Sequence, residues 1–309
     1  TPAIRALSNA LPSAEIHMLV GPWSADILAN YPEIDAILTL PFPGFSRSPK
    51  PNLPSPYQLA WKSSRQLRQI GYSTAIILRP DHWWGAMVAA MAGIPQRVGY
   101  NLPDTAPFLT EPIPFKHQHA VEQNLRLVAQ WTDNVSREKT HYQFTVDDEL
   151  DRTYISAYLR EWNISPTTPI FCIHPGSGTK VKQWEIDKWV TVADTLSEQF
   201  GARAVFTGGD HEVAIARSIA EKMSQEACVI AGETDVYQLA ALFERSIVVI
   251  GPDSGPLHLA VAVETPTVAL FGPADPGEFG PWGPPEKHAM LTTNIGCRPC
   301  RIIDWTGDD

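Results

Sequence analysis

The chain has 309 residues, 44% of them hydrophobic and 19% charged, with a formal net charge of −10. Those proportions belong to a globular protein long enough for two domains, and they exclude a disordered or fibrous one. The acidic balance argues against broad nucleic-acid binding, and no apolar run reaches the ~20 residues that a bilayer-spanning helix needs.

From the amino terminus, Ile4–Ala10 reads as a helix and Glu15–Val20 as a strand. The stretch Pro41 to Pro56 carries six prolines, too many for a helix or a central strand, and predicts a long surface loop. Tyr57–Ile70 then reads as a helix, Thr74–Leu78 as a second strand, and a further helix runs through Met87–Met91. Lys62, Arg65 and Arg68 recur every three residues on the Tyr57–Ile70 helix; a solvated face is the simpler reading and an anionic lipid the alternative. A polar helix, Asp147–Trp162, and the turn Ser165-Pro166 mark the passage between domains, which we set at 1–145 and 146–309.

The second half alternates more regularly. Apolar runs at Ile170–Ile173, Ala204–Thr207, Cys228–Ile230, Ile247–Ile250 and Thr267–Phe271 are separated by the helix-like segments Glu185–Gln199, Glu212–Ser224, Val236–Phe243 and Gly255–Val263. Short strands alternating with amphipathic helices indicate βαβ units and a parallel sheet. Several runs end in glycine, as turns at the carboxyl edge of such a sheet do, and ligands of open α/β sheets bind along that edge.

Three of those strand ends carry polar residues. In IVVIGPDSGPLHLA, Asp253 and Ser254 are good helix N-cap residues, Gly255 leaves room for a ligand to approach the backbone, and His258 lies near the start of the same helix. The free amides and positive dipole end of such a helix suit an anion. In FCIHPGSGTKVKQW, Ser177, Thr179 and Lys182 follow a strand with two glycines, a set able to surround phosphate oxygens and add a full positive charge. In TGGDHE, Glu212 opens a helix, where it either complements the dipole or accepts ribose hydroxyls. Converging on one edge, the three favour a nucleotide diphosphate. In the first half, LRPDHWW places Arg79, Asp81, His82 and Trp83 after a strand, an aromatic and charged group suited to a sugar or an anionic acceptor.

Other signatures fail. The HExxH pattern breaks at Ile215, GxSxG breaks at Pro252, and no Asp-x-Asp occurs to hold a divalent metal with a diphosphate. The four cysteines are too few for a disulfide framework and fit a reducing compartment. Cys172 and Cys228 read as core residues; Cys297 and Cys300 form a CxxC with only His288 near in sequence, so no metal site is expected.

Together HPGSGTKVKQW, TGGDHE, AGETDVYQLAAL, PDSGPLHLA and TPTVALFGPADP resemble glycosyltransferase family 9, the ADP-heptose:lipopolysaccharide heptosyltransferases, and TPAIRAL, ALPSAEIHMLVG and AGIPQRVGY extend the likeness into the first half. The resemblance implies a GT-B fold, two Rossmann-like α/β domains facing each other across a cleft, with the acceptor on the first and the nucleotide sugar on the second. It implies inverting, metal-independent transfer of a heptose or similar sugar from an ADP-sugar to a hydroxyl of lipopolysaccharide or another glycan. No cofactor is expected besides that co-substrate, and the location implied is cytoplasmic, with peripheral contact at the inner membrane face. By position, Ser177, Thr179 and Lys182 would meet the diphosphate and Glu212 the ribose. Asp253, Ser254, Gly255 and His258 would hold the pyrophosphate and sugar.

The resemblance also implies a base: in the family an Asp of a Gly-Asp pair, ahead of the helix that here opens Thr1-Pro2-Ala3, is the proposed group that deprotonates the acceptor hydroxyl. The expectation is therefore a longer parent enzyme, with Asp81 and His82 the substitutes as base within this sequence. Two other readings stand beside it: a non-catalytic nucleotide-sugar-binding protein on the same fold, and a different GT-B enzyme such as a nucleotide-sugar epimerase.

Overall fold

Short apolar strands alternating with helices fold this chain into two units, Thr1–Thr140 and His141–Asp309. A computed structural model describes residues 2–43, 54–132, 140–146 and 149–302. In the first unit the order is α1 (Pro2–Ala10), β1 (His17–Val20), β2 (Ala36–Thr39), α2 (Pro54–Ile70), β3 (Thr74–Ile76), α3 (Trp83–Ala92), β4 (Gln96–Tyr100), β5 (Glu111–Ile113) and α4 (Ala120–Val128). Among the described residues β1 pairs in parallel with β2, and β3, β4 and β5 form a second parallel sheet. Helices α2 and α3 share an apolar cluster of Ala60, Leu67, Trp84, Val88 and Ala92 with Leu40 and Phe42. Of the loop expected over 41–56, residues 44–53 lie outside the described ones, and its end is corrected: Pro54 and Pro56 belong to the first turn of α2. Proline is tolerated there, because the N–H it lacks would have no intrahelical acceptor.

The second unit continues with α5 (Asp151–Glu161), β6 (Ile170–Ile173), α6 (Ile186–Phe200), β7 (Arg203–Phe206), α7 (Val213–Ala220), β8 (Ala227–Val229), α8 (Val236–Arg245), β9 (Val249–Pro252), α9 (Gly255–Ala262), β10 (Thr267–Phe271), α10 (Pro276–Phe279) and β11 (His288–Thr292). Residues 147–148 of the expected polar helix lie outside the described residues; α5 begins at Asp151. The six strands form one wholly parallel sheet in the order β11-β10-β9-β6-β7-β8.

Both faces of that sheet are covered, which is why its central strands read as unbroken apolar runs. Ile170 and Cys172 of β6 point to the side of α5, α8 and α9, where Ile155, Leu242 and Ala260 meet them. Phe171 and Ile173 point to the other side, onto Trp189 and Ala193 of α6 and Ala216 and Ile219 of α7. The alternation is the two-residue period of a strand.

Among the boundaries that differ from expectation, two bear on the sheet edge. The helix foreseen from Glu212 opens with a 3₁₀ turn, Asp210–Glu212, and α7 begins at Val213. Strand β9 runs two residues later than expected, through Gly251 and Pro252. Pro252 offers no N–H, but the ladder resumes where the Asp253 N–H donates to the Leu270 carbonyl at 3.0 Å. Among the described residues, no helix is long and apolar enough to cross a membrane.

Candidate functional site

Strand order fixes where a ligand can sit. From β6 the chain moves outward one way through β7 and β8, then returns to pair β9 on the other side of β6 and moves out through β10 and β11. The direction reverses between β6 and β9. In open α/β sheets, loops leaving such neighbouring strands diverge to opposite faces and leave a crevice at their carboxyl ends. The loop after β6 carries His174 to Lys182, and the loop after β9 carries Asp253 to Gly255.

The two loops are joined. A 3₁₀ turn, Lys180–Lys182, brings Lys182 back over the sheet edge, and its Nζ lies 2.5 Å from Oδ2 of Asp253 and 3.4 Å from the Asp253 carbonyl. The side chains are 20% and 9% exposed, so the pair is largely withdrawn from water. Asp253 therefore answers the lysine rather than capping α9. The next residue, Ser254, holds the N-cap position in extended conformation, yet its hydroxyl bonds no first-turn amide. That buried Oγ and the buried Oγ1 of Thr179 both have no hydrogen-bond partner. Two buried hydroxyls thus lack a partner beside the first turn of α9, in which Pro256 carries no N–H. Gly255 is exposed, and a Cβ there would meet nothing within 4 Å. His258 is half-buried, with Tyr142 edge-on to its ring at 6.3 Å between centroids. Burial pushes the Tyr142 phenol up to about 12 and keeps it neutral.

On the β7 side the polar residues are committed more to one another. Ser177 is buried, and its Oγ stands 3.5 Å from the Thr179 amide. Glu212 is buried too. Its Oε2 accepts the Gly209 N–H at 2.9 Å, and a Cβ at Gly176 would fall 1.9 Å from its Oε1, so only glycine lets the carboxylate in. His174, also buried, shares a 3.1 Å hydrogen bond between Nδ1 and Thr207 Oγ1, with Nε2 3.7 Å from Glu212 Oε2. Burial lowers the His174 pKa, the Glu212 carboxylate opposes that shift, and His211 adds to it.

Sequence reasoning missed His174 and Tyr142 as part of this edge. His174 could have been found as the residue ending a buried strand. Tyr142 carries no local signal, since it reaches α9 only through the tertiary fold.

In the first unit Arg79, Asp81, His82 and Trp83 share the turn between β3 and α3. Arg79 grips Asp81 through two hydrogen bonds of 2.6 and 3.2 Å at the surface. That hydrogen bond holds the Asp81 carboxyl below its ordinary range, which weakens it as a proton acceptor. His82 lies edge-on to Phe42 at 4.8 Å, and burial lowers its pKa. Trp83 is exposed, whereas Trp84 is packed into the core.

Away from the β6–β9 edge, a cavity of about 370 Å³ lies between α5, α8 and the 164–166 turn. Its position at the amino end of β6 separates it from Lys182 and Asp253. Cys297 is an exposed free thiol and Cys300 a half-buried one, and His288 is buried against Thr267 Oγ1 at 3.0 Å. Among the described residues, no three His, Cys, Asp or Glu side chains are placed to hold a metal ion.

Comparison with known proteins shows the family and the fold. The family model described as Glycosyltransferase family 9 (heptosyltransferase) matches residues 60–304. Lipopolysaccharide heptosyltransferase 3 of Escherichia coli (strain K12) is 28% identical over 292 residues, spanning 91% of this chain and 80% of that protein. A glycosyl transferase family 9 structure from Veillonella parvula DSM 2008 superposes with a TM-score of 0.79 at 23% identity, covering 95% of this chain and 82% of that one. E. coli heptosyltransferase WaaC with ADP superposes with a TM-score of 0.67 at 20% identity, covering 94% and 88%. These likenesses place the fold in the GT-B class.

Proposed function

The chain belongs to glycosyltransferase family 9, the heptosyltransferases, and on that premise we propose that it transfers a heptose, or a closely similar sugar, from an ADP-sugar to a hydroxyl of a lipopolysaccharide or related glycan, with inversion and without a metal. The observation that carries the reading is the Lys182–Asp253 bridge at the point where strand order reverses, beside two unpartnered hydroxyls and a helix end.

In this reading the diphosphate lies over the first turn of α9, receiving hydrogen bonds from its amides and from Ser254 and Thr179. The acceptor hydroxyl attacks the anomeric carbon on the side opposite the departing ADP and gives its proton to a base, for which Asp81 and His82 are the candidates within this sequence. In the transition state the sugar becomes oxocarbenium-like while negative charge grows on the diphosphate. Lys182, already poised at the edge by Asp253, turns its ammonium to that charge, and His258 supplies a further donor. Such preorganised donors in a site shielded from water stabilise developing charge more than they would in solution. Glu212 is the residue assigned to the nucleotide ribose. A neighbouring structure solved with ADP supports adenine as the base. The second unit is the donor side and the first the acceptor side, with Arg79, His82 and the exposed face of Trp83 meeting the acceptor glycan and peripheral contact with the cytoplasmic membrane delivering it.

A thermal-shift panel of ADP, UDP, GDP and ADP-heptose tests the donor assignment. ADP and ADP-heptose are expected to stabilise the protein most, and Ser254→Ala and Lys182→Ala to reduce that stabilisation. Equal stabilisation by all diphosphates, or none by any, would overturn it.

A further inference from the structure

Helix α2 presents a face that the donor site does not explain. Its sequence, PSPYQLAWKSSRQLRQI, has three cations, Lys62, Arg65 and Arg68, and no Asp or Glu, in a chain of net charge −10. Ala60, Ser63, Ser64 and Leu67 are buried against the unit's core. At 100° per residue Tyr57, Arg68, Trp61 and Arg65 form one exposed stripe along the flank of that buried arc, and Lys62 lies beyond it on the side away from the core. Tyr57 is 59% exposed and Trp61 57%. The Arg65 guanidinium stacks over the Trp61 ring, 4.8 Å from its centroid. Arg68 is held in place by donating to the Met91 and Ala92 carbonyls at the end of α3, a helix that carries no charged residue.

We propose that this outer face of α2 docks the protein on an anionic lipid bilayer, with Tyr57 and Trp61 at headgroup depth and Lys62, Arg65 and Arg68 against lipid phosphates. Two large aromatics left in water beside cations are costly for a face with no partner, whereas a bilayer interface suits both: amphipathic rings settle at the headgroup level and basic side chains meet its negative potential. Charge complementarity selects the lipid. An acidic protein is repelled from an anionic surface unless it turns an acid-free face toward it, and α2 packed on α3 is such a face. Pinning of Arg68 and stacking of Arg65 hold the cations in place, so little side-chain freedom is lost on docking. The inference deepens the proposed function by naming how the acceptor-side unit meets a membrane-borne acceptor. It rests on that reading only for what the membrane carries.

The test is flotation of the full chain with vesicles of phosphatidylethanolamine containing about one-third phosphatidylglycerol, beside neutral phosphatidylcholine vesicles. The wild type is expected to float with the anionic vesicles, to stay behind with the neutral ones, and to be released at high salt. A Lys62→Glu/Arg65→Glu variant is expected to lose more than about tenfold in partitioning, and Tyr57→Ser/Trp61→Ser at least about fivefold. Melting temperature and the shift induced by ADP, measured on each variant, show that the fold and the donor site are intact. Should those double variants unfold, single Lys62→Gln and Trp61→Tyr variants are each expected to give a smaller loss. Failure of the wild type to float, equal flotation of the variants, or self-association of the wild type that Trp61→Ser abolishes would each overturn the proposal. The donor reading is judged separately, by whether ADP stabilises the wild type.

Discussion

Lys182 Nζ stands 2.5 Å from Asp253 Oδ2, and this single pair ties the loop after β6 to the loop after β9. With both groups largely buried, removing the lysine leaves the Asp253 carboxylate withdrawn from water without its ion-pair partner. Lys182→Ala is expected to cost about 1–3 kcal/mol of stability, measured by denaturant unfolding, and to weaken ADP binding by more than about tenfold in calorimetric titration. Wild-type affinity in Lys182→Ala would place the diphosphate elsewhere.

Two glycines of the site separate packing from ligand access. Alanine at Gly176 would drive its Cβ to 1.9 Å from Glu212 Oε1, and that carboxylate is anchored by the Gly209 amide. Gly176→Ala is therefore expected to destabilise the second unit by about 1–3 kcal/mol. Alanine at Gly255 meets nothing within 4 Å, so Gly255→Ala should melt within about 0.5 kcal/mol of wild type. Its ADP affinity should nonetheless fall about tenfold, because the new methyl occupies the space where a ligand would approach the backbone. Unchanged affinity in Gly255→Ala would show that the ligand does not pass over this turn.

Acid should weaken the fold in a defined window. Burial lowers His174 and His288 below the ordinary value of 6.5, so each binds its proton less readily folded than unfolded. Above 6.5 both states are neutral and stability is flat with respect to these groups. As pH falls through 6.5 the unfolded chain takes up protons first, and stability declines until the folded imidazoles titrate as well. Asp194 is lowered from 3.8 despite the cost of its burial, by hydrogen bonds from the Ser224 and Gln225 amides, and its contribution is lost only below that value. A decline in melting temperature between pH 6.5 and 5 that becomes shallower in His288→Gln would identify the histidines; a decline confined below pH 4 would exonerate them.

The four thiols should divide by burial. Burial pushes Cys172 and Cys228 up to about 12, whereas Cys297 is exposed and Cys300 half-buried. A disulfide reagent at neutral pH is expected to modify Cys297 and Cys300 in the folded protein and Cys172 and Cys228 only after denaturation. Rapid labelling of Cys172 in the native state would contradict the packing of β6.

How much of this could be read without coordinates depended on burial. Strands β6 and β10 stand at Ile170–Ile173 and Thr267–Phe271, as their apolar runs indicate. β2, β4, β5 and β11 went unread because AILT, QRVGY, EPI and HAMLT are short, mixed with polar residues or half exposed, and a strand covered on one side carries a weak pattern. The polar interruption at Asp253-Ser254-Gly255 was legible as a strand end, and the mutual positions of its side chains were not.

The order of elements from β6 to β10, their parallel pairing and the family follow from the sequence alone, because apolar periodicity and local turn chemistry act between residues near in the chain. That Asp253 answers Lys182 across 71 residues instead of capping α9, that Gly176 opens space for Glu212, and that Tyr142 reaches His258 were decided only in three dimensions. Those relationships depend on which strands become neighbours, and neighbours in a parallel sheet are chosen by packing of its helices on both faces, a long-range balance that no local pattern encodes.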